Sequence, residues 1–273
     1  MCGRYAASRS AGELAETFGV EKWDPAEELA PDWNVAPTKQ VHAVLDRPLK
    51  DGGDERPVRQ LRPLRWGLVP SWAKSPDVGV KMINARAETV HEKPSYRRPF
   101  AARRCLLPAD GYYEWVTGAA ERQEEEKGKR KRPRKQPYFV TPADGSVMAL
   151  AGLYEFWRDK TLPDDHPQAW WATCTVITTE AETEPFAGSD GDGGGPRALA
   201  DIHPRMPLVL TSDRWDAWLD PALTDVDRVR ELMVPPPPEA MRAYPVGTEV
   251  SNVRNNGPEL LEELDGPGAG TLF

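Results

Sequence analysis

Cysteine is scarce in this chain, long apolar runs are missing, and there is no surplus of positive charge. Cys2, Cys105 and Cys174 are odd in number and far apart in the 273 residues. Neither a disulfide framework nor a zinc-knuckle spacing can be built from them. No metal or other cofactor is expected. No stretch of eighteen apolar residues occurs, and the chain does not open with a basic region followed by an apolar one. Neither a membrane-spanning helix nor a secretory leader is therefore expected, and the cytoplasm is the expected location. The formal net charge of -8 argues against generic polyanion binding, because that affinity comes mainly from Lys and Arg neutralising phosphates. Any nucleic-acid site must be a local groove. The one dense basic run, Lys127 to Lys135, directly follows the acidic Glu124 to Glu126, a mixture that reads as a solvated loop.

What the chain has in quantity is 28 Pro, 22 Gly and ten Trp. That composition opposes a helical bundle and favours short strands joined by many turns. Ser10-Ala-Gly-Glu13 has the spacing of a capping box, Leu14 and Phe18 follow at helical separation, and Gly19 can end the helix. Val41 to Leu45, Leu61 to Val69, Tyr138 to Thr141, Val147 to Leu153, Trp170 to Thr178 and Met206 to Thr211 read as strands. Asn84 to His91, Asp213 to Leu219 and Val226 to Met233 read as helices. Strands and helices do not alternate regularly. The expectation is an α+β fold in one domain, with a central curved or barrel-like β-sheet flanked by short helices. Residues 119–136 and 188–195 read as insertions and 254–273 as a flexible tail.

The chain opens Met1-Cys2-Gly3-Arg4-Tyr5, and a small second residue permits removal of the initiating methionine. Cys2 would then carry a thiol and a primary amine on adjacent carbons, with reference pKa values of roughly 8.5 and 7.7–8.0. Both groups are expected to be partly reactive at neutral pH. An aldehyde condenses with the amine to a Schiff base, and the thiolate can close on the same carbon to give a thiazolidine. By position alone, a chance residue after the start codon is the leading reading of Cys2, and the case for chemistry rests on the other segments.

Five further segments accompany it: Asn34-Val-Ala-Pro-Thr38, Arg65-Trp-Gly-Leu-Val-Pro-Ser-Trp72, Asn84-Ala-Arg-Ala-Glu88, Pro108-Ala-Asp-Gly-Tyr-Tyr-Glu-Trp115 and Ile202-His-Pro-Arg-Met-Pro207. In this order, with the Met-Cys-Gly-Arg start, they resemble the SRAP family, SOS-response-associated peptidase-like proteins that shield abasic sites in single-stranded DNA. The resemblance runs from residue 1 to about 253. It implies an α+β domain with a barrel-like sheet, a positively charged groove for single-stranded DNA, and Cys2 as the residue that cross-links to the open-chain aldehyde of an abasic deoxyribose. It also implies an association with replication forks and with the nucleoid. A monomer is expected.

By the same resemblance Glu114 matches the catalytic glutamate, and burial beside Tyr112, Tyr113 and Trp115 would suit it to donate a proton. A salt bridge to an arginine is its structural alternative. His203 matches the family's histidine, a second proton carrier. Asn84 matches the asparagine that holds the N-terminal cysteine and the sugar, with a helix N-cap as an additional role. Arg4, Arg86 and Arg205 match phosphate-binding positions, and Pro37 a wedge against base stacking. Trp66, Trp72 and Trp115 offer stacking faces or core packing. Cys105 and Cys174 are expected to be inert core residues. Lyase activity and self-removal of Met1 are compatible with the same site. The competing functions are an N-terminal-nucleophile cysteine peptidase and a non-covalent reader of single-stranded or modified DNA.

Overall fold

The computed structural model describes residues 2–49, 56–117, 135–189 and 195–264. Most of the two expected insertions lies outside these residues. Among the described residues, twelve strands and five short α-helices follow in the order β1 (Tyr5–Ala7), α1 (Ala11–Phe18), β2 (Asp32–Val35), β3 (Gln40–Pro48), β4 (Pro57–Trp66), β5 (Asn84–Arg86), α2 (Arg97–Ala102), β6 (Arg104–Ala109), β7 (Gly111–Thr117), β8 (Lys135–Pro142), β9 (Met148–Arg158), β10 (Trp170–Glu180), α3 (Leu199–Ile202), β11 (Arg205–Pro207), α4 (Trp215–Leu219), α5 (Val226–Glu231) and β12 (Met241–Pro245). The expected α+β fold is present.

Five strands close into a barrel. β10 pairs β4, β4 pairs β3, β3 pairs β6, β6 pairs β9, and β9 returns to β10. Side chains alternate across each strand, so Val41, Ala43 and Leu45 of β3 point into the barrel with Leu64, Cys174 and Val176. Val44, Leu61 and Ile177 point outward beneath the helices. A second sheet, in the order β12-β8-β7-β1-β2, contributes Tyr5, Tyr112 and Val140 to the same inner core. Cys105 and Cys174 are buried there as unpaired thiols.

Local chemistry explains the clearest elements. In α1 the Ser10 hydroxyl accepts from the Glu13 amide while Glu13 reaches back to the Ser10 amide, and Gly19 closes the helix at φ 64°. Two orphan amides and the C-terminal carbonyls are satisfied in this way. β4 stops at Trp66 because Gly67 takes φ 128° and lies against Gly79, whose carbonyl oxygen would sit 2.7 Å from any Cβ placed on Gly67. The strand expected up to Val69 is therefore shorter.

Three expectations are corrected. Asn84 to His91 is not a helix: Asn84–Arg86 pairs in parallel with Val176–Thr178 of β10, and the residues after it turn. Filling the open side of β10 outweighs the weak local helix preference. Asn84 is therefore no N-cap. Residues 254–264 do not leave the domain: Leu260 is buried, and Leu264 donates its amide to Pro245. Lys135 and Gln136, read as the end of a loop insertion, open β8 opposite Thr117 and Val116.

Candidate active site

The residue order of β1 and β7 creates the site. Tyr5 faces Tyr112 and Ala6 faces Gly111 in antiparallel register, with the Tyr113 amide donating to the Arg4 carbonyl. Continuing that register sets Glu114 opposite Gly3 and beside Cys2. On the other side, β5 brings Asn84 within reach, and its Nδ2 donates to the Cys2 carbonyl at 2.7 Å. α3 packs on β7 and delivers His203 at its end. Three distant segments thus converge on residue 2.

Cys2 is fully buried. Burial, assisted by the Glu114 charge, pushes its thiol far above the usual range. The expectation that both Cys2 groups are partly reactive at neutral pH is corrected for the thiol, which stays protonated until something takes its proton. Glu114 is also buried, and loss of solvation raises its carboxyl to about 7. At neutral pH it is divided between acid and base. The Asn84 Oδ1 is buried without a hydrogen-bond partner among the described residues, an acceptor left to be satisfied. Burial lowers the pKa of His203, so its ring is largely neutral at pH 7. Its Nδ1 lies 3.0 Å from both the Arg205 amide, which only donates, and the Arg205 carbonyl, which only accepts, so either neutral tautomer finds a partner there.

The carboxyl carries a stability cost with a definite pH sign. Between the ordinary carboxylate range and about 7, folded Glu114 keeps a proton that the unfolded chain has released, so stability falls as pH rises across that window. The loss approaches about 3 kcal/mol above it. Glu114→Gln is therefore expected to raise Tm by several degrees at pH 8 and to leave it unchanged at pH 4, measured by calorimetry. Equal effects at both pH values would rule out the raised carboxyl.

Lys135 is the member that sequence reasoning missed. Its charge bears on both Glu114 and His203 and lowers the pKa of each. The strand pairing of Thr117 with Lys135 places it there, and only recognition of β8 would have separated it from the basic run.

The proposed nucleic-acid contacts are not all gathered around this centre. Arg86 is exposed on β5, next to Asn84. Trp72 is 65% exposed on the loop after β4. Pro37 stands in the β2–β3 turn, next to Thr38, whose φ of 74° is a costly conformation for a β-branched residue. Trp66 is fully buried, packed on Tyr5 at 5.1 Å with its Nε1 donating to Ile83. The stacking role is excluded because neither ring face reaches solvent. Trp115 follows Glu114 on the strand, so it faces the opposite side of the sheet, where its Nε1 donates to Ser251. A stacking role at this centre is corrected for it as well. Arg4 lies on that same side over Trp115, donating to Asn34 Oδ1 at 2.6 Å and to the Val250 carbonyl at 2.8 Å. It ties the 250–255 segment down rather than offering its guanidinium to a phosphate. Arg205 is engaged by Glu88 through two bonds of 2.6 and 3.0 Å and donates to the Thr178 carbonyl.

Among the described residues no helix is long and apolar enough to cross a membrane, and no group of three or more His, Cys, Asp or Glu could hold a metal ion. Similarity to known proteins extends over nearly the whole chain. It is 37% identical to abasic site processing protein YoqW of Bacillus subtilis (strain 168), covering 96% of this chain and 99% of that one. It is 28% identical to abasic site processing protein HMCES of Gallus gallus, covering 97% of this chain and 78% of that one. An X-ray crystal structure of a protein from Bacteroides thetaiotaomicron superposes with a TM-score of 0.71 at 24% identity, over 96% of this chain and 100% of that one. It shares the fold. The model of the SOS response associated peptidase (SRAP) family matches residues 1–253, and with the convergence of Cys2, Asn84, Glu114 and His203 on one point of that fold, the chain belongs to the SRAP family.

Proposed function

We propose that this protein processes abasic sites in single-stranded DNA by forming a covalent thiazolidine through Cys2 after removal of Met1. The observation that carries this reading is a buried Cys2 whose carbonyl is held by Asn84 beside a carboxyl with a pKa of about 7. The names of the relatives point to the same lesion.

The raised thiol orders the steps. The free amine of Cys2, not the thiol, attacks the aldehyde carbon of the ring-opened sugar. Glu114 in its acid form protonates the resulting hydroxyl, which leaves as water and gives an iminium. The thiol sulfur then adds to the same carbon while its proton passes to the Glu114 carboxylate, closing the five-membered ring. One aldehyde and one aminothiol become one thiazolidine and one water, and Glu114 ends as it began. The Asn84 Oδ1 accepts a hydrogen bond from the sugar or from the amine, and neutral His203 supplies a second proton carrier. Exposed Arg86 and Trp72 suit a phosphate and an unpaired base. The same iminium labilises the neighbouring phosphate, which provides a lyase branch. A cysteine peptidase draws less support, since burial holds the Cys2 thiol protonated and the thiolate is the nucleophile that amide attack needs.

The purified protein is expected to show an intact mass lacking Met1. With an abasic single-stranded oligonucleotide it should give a band that survives denaturation, whose mass is the sum of both components less one water. An oligonucleotide without the lesion should give none. Binding to the abasic strand with no denaturation-resistant species would overturn the covalent reading.

A further inference from the structure

The barrel has a second mouth, at the end away from Cys2. Along β3 the inward positions run from Val41 in the inner core to Leu45 and then Arg47, and the rise along the strand from Val41 to Arg47 is roughly 20 Å. At that far end a cavity of about 460 Å³ opens among Leu45, Arg47, Gln60, Arg62, Phe156 and Trp170. Strand alternation accounts for the set. Arg47 shares the face of Leu45, Arg62 that of Leu64, Phe156 that of Tyr154, and Trp170 that of Cys174, all continuing the barrel's interior.

The chemistry of the lining differs from that of a plain barrel end. The Arg47 guanidinium lies 4.6 Å from the centre of the Phe156 ring, across the mouth from one strand end to another. Trp170 is 58% exposed, an unusual position for an indole. The Gln60 Nε2 donates to the Arg47 carbonyl at 2.7 Å and so fixes the backbone that carries this arginine. Arg62 pairs with Glu27 on the rim, at 3.0 Å between partly exposed groups. Such a pair is worth at most about 1 kcal/mol, so an anion can exchange for it. Among the described residues that line the cavity none is acidic, in a chain of net charge -8. Two guanidinium groups and two aromatic rings around a space within the usual range for small ligands match a planar, singly or doubly negative molecule.

We propose that this far mouth binds one nucleotide unit, its base on Trp170 and its phosphate between Arg47 and Arg62. The same chemistry is available from a free mononucleotide and from a nucleotide within an unpaired strand. The site is separate from Cys2 and does not depend on the covalent reaction.

Titration calorimetry with dAMP, alone and after saturation with a twelve-residue oligothymidylate, tests this. Saturable dAMP binding is expected, weakened at least about tenfold by Trp170→Ala and by Arg47→Gln and unchanged by Arg86→Gln or Cys2→Ala. Trp170 is exposed, so its replacement leaves the fold intact, and an unchanged Tm verifies this. If the oligonucleotide displaces dAMP, the mouth takes a nucleotide from a strand; if dAMP binding persists, it takes free nucleotide. Two results would each overturn the proposal. One is no saturable dAMP binding together with an oligonucleotide affinity unaffected by Trp170→Ala. The other is dAMP binding lost in Arg86→Gln but retained in Trp170→Ala, which would assign it to the Cys2 site.

Discussion

Cys2→Ser is expected to lower the yield of denaturation-resistant adduct at least about 100-fold while leaving an imine that borohydride still traps. The serine keeps the free amine, so condensation with the aldehyde proceeds. What it loses is a sulfur nucleophile on the adjacent carbon, whose effective concentration at the imine carbon is set by one bond rotation. Oxygen in the same place gives a ring that reopens readily in water. A chain forced to retain Met1 is expected to give no stable adduct, because its free amine no longer stands on the carbon adjacent to the one that bears the Cys2 thiol, and the five-membered ring cannot close. DNA binding measured by anisotropy should be unchanged in both. A full yield of stable adduct from Cys2→Ser would remove the thiazolidine. A full yield from the Met1-bearing chain would remove the amine as the attacking group.

How far the sequence discloses such a site depends on the range of the forces involved. α1 is legible because its signals are local: Ser10, Glu13 and Gly19 cap a helix whose buried stripe is Leu14 and Phe18. β5 is not, because Asn84-Ala-Arg carries little strand preference and is extended only by its pairing with β10, 92 residues further along the chain. The same limit hides Lys135 inside a charged run. The resemblance brought Cys2, Asn84, Glu114 and His203 forward as a set, but it could not say which aromatic side chains are exposed. Strand alternation settles that for Trp115, which must face away from Glu114, and a single hydrogen bond to Ile83 marks Trp66 as core. Arg4 and Asn34 were legible as polar residues in motifs, not as the anchor of residues 250–255. Asn34, fully buried, donates from its Nδ2 toward the carbonyls of Val250, Asn252 and Asn255 at 2.9–3.2 Å, so the motif around it serves folding at least as much as binding.

Arg104 is the clearest case of a residue with no sequence signal and a large structural role. It opens β6 with only 2% of its surface exposed, and burial lowers its pKa to about 10, which leaves it cationic at neutral pH. Every nitrogen of its guanidinium is used. Nε donates to Trp218, Nη1 to Phe100 and Ala101, and Nη2 to Asp220 and Leu223, all backbone carbonyls at 2.5–3.0 Å. Four of these acceptors lie in the last turns of α2 and α4 or at the α4 C-cap, where carbonyls lack helical partners and the helix dipoles are negative, and the fifth, Leu223, lies in the turn after α4. One side chain therefore closes two helices onto the barrel, and the Trp218 ring, 5.9 Å from the guanidinium carbon, covers it. Arg104→Ala leaves five carbonyls facing a void, and the expected loss is about 5 kcal/mol in urea unfolding. Arg104→Lys should recover less than half of that, because an ammonium has three donors at one point and cannot reach both helix ends. Arg104→Met, which fills the volume without donors, separates packing from hydrogen bonding. A loss with Met as small as with Lys would show that the packed stem, rather than the five bonds, holds the helices.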